Sequence, residues 1–451
     1  MLSIRALAHS WFWAIIICSP SLAITLGASD AMKWQPPQPS NRDGVYGYQV
    51  AYSQGTVLVG ETGYDNGHLG INGVYQFGTN YGAAYAYSID EHGNRTATSA
   101  LERSGGQALD NFGSSVAIDG NLAIVGARWA SSGADGAGAA WLFGRDTHGF
   151  WNELAHLTSS SPQYHGWFSN GVSVSGRTVA VGAPNEGTGG YTYIFGENTS
   201  GQWTEHAKIA PPTADPQMGF GTSVALFGDT LVVAAIQGDA TDALDGKRGA
   251  AYVYHRQAND WTLVATLGPA DPDASNFGAS ASLWKDTLVI GATHGGLNYT
   301  AAGSAYVFHE DTSGSWTPVT RLTLADDNDE FGSSVAVRDD AILVGAPQRN
   351  LNVPNRVSQG AAYLYLEAGP GNWVRVTDLT PLNDSVSFNL FGASVALTDG
   401  LSIIGAPKIG PYGSVYVYPT PIPEPGSCCH AASIMLLILF GKPRRQSRRG
   451  I

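Results

Sequence analysis

Residues able to do chemistry are sparse in this chain, and few stand at spacings a reaction needs. Gly-x-Ser-x-Gly, the turn that exposes a nucleophilic serine, is absent. So is His-Glu-x-x-His, which places two zinc ligands on one helical face. Gly246-Lys247 is followed by Arg248 rather than Ser or Thr, and lacks phosphate-loop spacing. Cys18, Cys428 and Cys429 all lie near the ends, so the body offers neither a disulfide nor a thiolate metal site. Asp239, Asp242 and Asp245 form one acid cluster; Asp326, Asp327, Asp329 and Glu330 form another. Closely spaced carboxylates suit weak calcium binding, but solvated loop charge is the simpler reading, and no cofactor is expected. His148, His165, His206, His255 and His309 are scattered, which predicts surface or edge positions.

The remaining candidates suit contact rather than catalysis. Tyr64, Asp65, His68 and Tyr75 share one long connector, and Arg128, Trp129, Arg349 and Asn350 stand in corresponding connectors further on. Aromatic faces beside amides and acids fit a saccharide or a protein surface. The same long connector could instead plug a central channel. A rival chemistry is a polysaccharide hydrolase or lyase using Asp65 with His68, or the 239–245 acids. A glycosidase needs two carboxylates about 5–10 Å apart in a cleft.

The elements that position these residues are repeats. Seven aromatic starts occur: Tyr46, Phe112, Phe168, Phe220, Phe277, Phe331 and Phe391. A small residue follows 14 positions after each: Gly60, Gly126, Gly182, Ala234, Gly291, Gly345 and Gly405. Each unit then carries an aromatic-aliphatic-aromatic triplet, from Tyr85-Ala86-Tyr87 to Tyr416-Val417-Tyr418. Trp151, Trp203, Trp261, Trp316 and Trp373 open a last segment, a Trp landmark that the first unit lacks. Ser114, Ser223, Ser334 and Ser394 follow the Phe-Gly starts and read as one repeated strand position rather than as nucleophiles.

Alternating polarity, as at Ser114-Val116-Ile118, and turn pairs such as Asp119-Gly120 and Gly228-Asp229 predict hairpins. Four strands in each of seven units predict an all-β fold, a seven-bladed β-propeller. The last unit stops at Tyr418 without its Trp segment, while Trp34 stands alone before the first unit. Residues near Met32–Gln35 are therefore expected to close the ring as the outer strand of the last blade. An open solenoid would need atypical capping units, and none is visible.

Composition agrees. Gly numbers 57 of 451 residues, hydrophobic residues reach 43% and charged ones only 14%, which excludes disorder. Net charge is −13, and −18 once the cations and the acid of the two ends are set aside, so nucleic acid is not an expected partner. Arg5, the apolar run Trp11 to Cys18 and Ser21-Leu22-Ala23 read as a signal peptide over 1–23, cleaved after Ala23. The propeller then occupies 24–420.

Two resemblances follow from these residues. Phe-Gly-x-Ser-Val-Ala followed by Val-Gly-Ala-Pro, best seen at 331–347 and 391–407, resembles the FG-GAP repeat of integrin-α-type propellers. Calcium-binding members carry an Asp-rich loop between these motifs; here the interval is too short in every unit, so the resemblance implies no metal. The 421–451 segment has Pro423-Glu424-Pro425, an apolar stretch Ala431 to Phe440 and five terminal cations. It resembles the PEP-CTERM sorting signal. That resemblance implies export, transient anchoring in the inner membrane, an exosortase-type membrane protease as partner, and a place on the cell surface or in the extracellular matrix of a Gram-negative-type bacterium. The expected function is a non-catalytic binding module for an extracellular polysaccharide or a surface protein.

Overall fold

The computed structural model describes residues 24–25, 31–37, 44–63, 68–69, 75–76, 82–105, 107, 109–213, 215, 218–237, 248–258, 260–271, 274–295, 303–324, 329–350, 358–381, 388–410 and 412–420. The expected signal and sorting segments lie outside them. The described chain forms seven antiparallel sheets of four strands, with an added parallel strand on the sixth. The innermost strand of each sheet touches that of the next, and Ser394–Leu397 touches Gly44–Ser53 to close the circle. The protein is a seven-bladed β-propeller.

The equal spacing of aromatic and glycine has a steric origin. Gly60, Gly182, Gly291, Gly345 and Gly405 of the second strands lie against the backbone of the following blade's motif, and Gly126 against the Ser115 and Ser169 side chains. A Cβ at Gly182, Gly345 or Gly405 would collide with the carbonyl of Gly221, Gly392 or Gly47. The motif aromatics are buried and pack on the third-strand triplets of their own blades: Phe112 on Trp141 at 5.6 Å, Phe277 on Tyr306 at 5.4 Å, Phe391 on Tyr416 at 5.3 Å. The triplets are therefore core.

No blade owns a core. Leu58, Ala84 and Ala86 of the first blade bury against Phe112, Val125 and Trp141 of the second. Leu343 and Leu364 of the sixth bury against Phe391 and Tyr416 of the seventh. Apolar burial contributes about 25 cal/mol per Å², and here nearly all of it depends on a neighbour, so the ring is the smallest stable unit.

The expected clasp is present. Met32–Trp34 pairs antiparallel with Ser414–Pro419, with Trp34 opposite Val415. Trp34 is 3% exposed and sits between blades seven and one, 5.4 Å from Tyr87 and beneath the Arg95 guanidinium. A second N-terminal piece was not foreseen. Ile24–Thr25, next to the expected cleavage point, pairs parallel with Thr377 and Asp378 of the sixth blade.

The outer strand of the first blade, Arg95–Ala100, opens on Arg rather than Trp, and its face is largely exposed. One sequence expectation needs correction. Ser114 is one residue out of register with Ser223, Ser334 and Ser394, whose counterpart is Ser115, three residues after its aromatic as they are. Ser223 and Ser394 face the second-strand small residues Ala234 and Gly405, as Ser115 faces Gly126.

Candidate functional site

Connectors between second and third strands share one face of the ring with the links between blades. On that face, between blades two and three, they enclose a cleft of about 440 Å³. Backbone bonds stitch its walls. Trp129 N donates to Asp110 O at 3.3 Å, His165 N to Asp135 O at 3.0 Å, and Phe168 N to Ala137 O at 2.8 Å.

Trp129 and His165 supply the aromatic lining, their rings edge-on at 5.1 Å. Outside that lining, Trp167 meets Trp129 at 5.6 Å, and Tyr164, 68% exposed, stacks on His165 at 3.8 Å. The polar wall is pre-set. Arg103 and Asp110 form a buried ion pair at 2.9 Å, and Gln107 N donates to the same carboxylate at 2.7 Å. The Asn111 amide, oriented by its neighbours, donates to Gly63 O at 3.2 Å and accepts from Trp129 Nε1 at 3.3 Å. Ser131 donates to Asp135 at 2.9 Å.

Leu109, Asn111, His165, Trp167 and Ser169 are all left-handed without being glycine. The conformation belongs to the blade starts in general: Asn276, Glu330 and Leu390, just before the aromatics of other blades, share it, and the Ser169 position is a left-handed Gly elsewhere. A non-glycine residue there costs of order 1–3 kcal/mol. At Ser169 the side chain offsets part of that cost. Its Oγ donates to Ala139 O at 2.7 Å and accepts from Ala127 N at 3.1 Å.

Chemically, the cleft offers aromatic faces with carboxylate and amide acceptors beside them. Those groups suit the CH face and the hydroxyls of a sugar ring. They suit proton abstraction poorly, because the Asp110 carboxylate is already committed to Arg103 and Gln107.

A buried acid lies behind the cleft in blade three. Tyr193 OH donates to Glu186 at 2.5 Å, and Ser159 donates to the same oxygen at 2.9 Å. The other Glu186 oxygen is buried without a hydrogen-bond partner. Burial pushes the Glu186 carboxyl above its ordinary value, opposed in part by the Tyr193 and Ser159 hydrogen bonds. Burial, followed by the Glu186 contact, raises the Tyr193 phenol.

Of the residues singled out from sequence, Trp129 stands in the cleft, whereas its neighbour Arg128 turns into the central channel. Arg349 lies in the sixth blade, ion-paired with the buried Asp329, and Asn350 is exposed beside it. His68 and Tyr75 lie on a short ribbon, His68–Leu69 paired with Tyr75–Gln76. Tyr64, Asp65, Asp239, Asp242, Asp245, Asp326, Asp327 and the Pro423-Glu424-Pro425 motif are outside the described residues. Among the described residues, no group of three or more His, Cys, Asp or Glu could hold a metal ion. The first hairpins close as tight turns, for example at Gly228-Asp229 and Asp339-Asp340, which leaves no room for an Asp-rich calcium loop.

Sequence reasoning missed Asp110, Asn111, Asp135, Tyr164, His165 and Trp167. A signal was present: the third unit breaks the repeat, with Trp167 before its aromatic and Ser169 in place of the usual Gly.

A family model for the FG-GAP repeat matches residues 96–143, 151–195, 203–254, 261–308 and 316–365. Each match runs from the outer strand of one blade to the third strand of the next, so the sequence repeat straddles the blade boundary. No curated protein matches the chain significantly. The matched segments cover more than half of the sequence, and the chain belongs to the FG-GAP repeat family.

Proposed function

We propose that this protein is an exported propeller of the cell surface or extracellular matrix, acting as a non-catalytic binding module that takes a saccharide in the Trp129 cleft. The observation that carries the reading is the pairing of aromatic surface with fixed polar acceptors in one cleft of an FG-GAP propeller. Export rests on the signal-like start. Sorting by an exosortase-type protease rests on the order of Pro423-Glu424-Pro425, apolar stretch and cations. No helix among the described residues is long and apolar enough to cross a membrane. Anchoring, on this reading, belongs to the tail alone.

A glycan array with the purified protein, run with and without calcium, tests the binding role. Saccharide retention without release of reducing ends supports it, and release of reducing ends would replace it with a hydrolase. Fractionation of cells expressing a Glu424→Ala variant tests the sorting: the protein should accumulate at the inner membrane with an uncut tail.

A further inference from the structure

The central channel opens on the connector face in a polar mouth of about 320 Å³. Val50, Val116, Val172, Val224, Val335 and Val395, with Ala281, line both this mouth and the next cavity down, at the level where the two meet. Above that level five hydroxyl protons are already spent. Ser115 donates to Ser169 O at 2.6 Å, Ser280 to Gly332 O and Ser334 to Gly392 O at 2.8 Å, and Ser394 to Gly47 O at 3.2 Å. Thr222 donates back to Gly219 O at 2.7 Å. A hydroxyl that has given its proton still has oxygen lone pairs. The wall therefore offers a set of hydroxyl acceptors, with the Tyr48 hydroxyl and the Gln49 amide as donors among them.

One charged side chain lines the mouth among the described residues, and it is Arg128. The corresponding positions of the other units hold Thr62, Pro184, Ile236, Thr293, Pro347 and Pro407, so the fold does not require a cation there. The guanidinium reaches the Tyr48 hydroxyl at a long 3.4 Å, and its Nε is buried without an acceptor. A group with five N–H donors is thus left short of partners beside a wall of hydroxyl oxygens.

We propose that the channel mouth binds a uronate sugar unit, with its carboxylate on Arg128 and its hydroxyl protons on the serine and threonine oxygens. Arg is suited to planar carboxylates, which it can hold through two N–H groups at once. The ligand must be anionic at one point and a hydroxyl donor at several. A neutral sugar lacks the first property and a simple carboxylate lacks the second. This site is distinct from the Trp129 cleft and does not depend on it.

Calorimetric titration of the full chain with glucuronate, glucose and acetate tests the assignment. Glucuronate should bind at one site, with glucose and acetate at least tenfold weaker. Arg128→Gln should weaken glucuronate at least tenfold, and His148→Ala, in an exposed turn of the same blade, should leave it unchanged. In the wild-type protein the Arg128 Nε–H resonance should shift on adding glucuronate, a readout independent of how the variant folds. A tri-uronate that binds more tightly than the monomer identifies a polymer end as the source; equal affinity identifies the free sugar. Absence of glucuronate binding, equal binding of glucose or acetate, an unaffected Arg128→Gln, or loss of binding in His148→Ala would each overturn the proposal.

Discussion

Ser394 in the last blade donates its hydroxyl to the carbonyl of Gly47 in the first, 347 positions earlier, at 3.2 Å. The bond repeats across the seam the contact that Ser280 and Ser334 make between consecutive blades. The joint between the two ends is thus built like the joints within the chain, and the clasp at Trp34 adds a second fastening on the outer side. Residues 32–34 should therefore count heavily toward stability. Trp34→Ala should cost about 3–5 kcal/mol, the range for emptying a buried aromatic site. Removing everything before residue 40 should lower the thermal midpoint clearly. An unchanged melt after that truncation would show that the strand is ornamental.

Steric demand, more than backbone freedom, explains the second-strand glycines. Gly182→Ala and Gly345→Ala push a methyl group into the next blade's carbonyl and should each destabilise by at least the roughly 1–3 kcal/mol typical of overpacking. Gly400, where an added methyl group would meet nothing within 4 Å, should accept Ala at little cost. Urea midpoints of the three variants give the comparison, and similar losses at all three would refute the interblade argument.

Glu186 should make stability depend on pH. Its carboxyl is raised by burial, so the folded protein holds the proton more tightly than the unfolded chain. The contribution is full below the ordinary carboxyl range, about 4.3, and is lost as pH rises through the raised folded value. Glu186→Gln, which stays neutral, should match wild type near pH 4 and exceed it at pH 8. Denaturation midpoints across that range decide the matter. A variant weaker than wild type at pH 8 would mean that the ionised form is accommodated.

For the cleft, Trp129 gives the test because its ring lines the cavity. Trp129→Ala should reduce saccharide retention severalfold. Asn350→Ala, in the sixth blade, should have no effect. Equal behaviour of the two variants on the array would remove the cleft from consideration.

Fold and site were unequally legible. The 14-residue interval between Phe331 and Gly345 is visible in the sequence because a contact with the next blade demands it in every unit. The missing Trp segment after Tyr418 pointed to Trp34 for the same reason: an absent part must be supplied. The cleft obeys no repeat. Asp110, Trp129 and His165 come from three connectors and meet only when two blades dock. Arg128 and Trp129 look like one motif, yet adjacent side chains diverge into separate compartments. Ser115, not Ser114, stands three residues after its aromatic as Ser223, Ser334 and Ser394 do, so the residue facing Gly126 was legible by counting from Phe112.

The borrowed outer strand has a consequence for synthesis. Residues 32–34 emerge among the first and find their sheet only when Ser414–Pro419 has appeared. A ribosome that stalls, or a message cut short, yields a product with an unzipped edge between its first and last wedges. Such a product is an easy substrate for quality-control proteases. The clasp thereby inspects the propeller: only a polypeptide that has grown past residue 419 can shut itself.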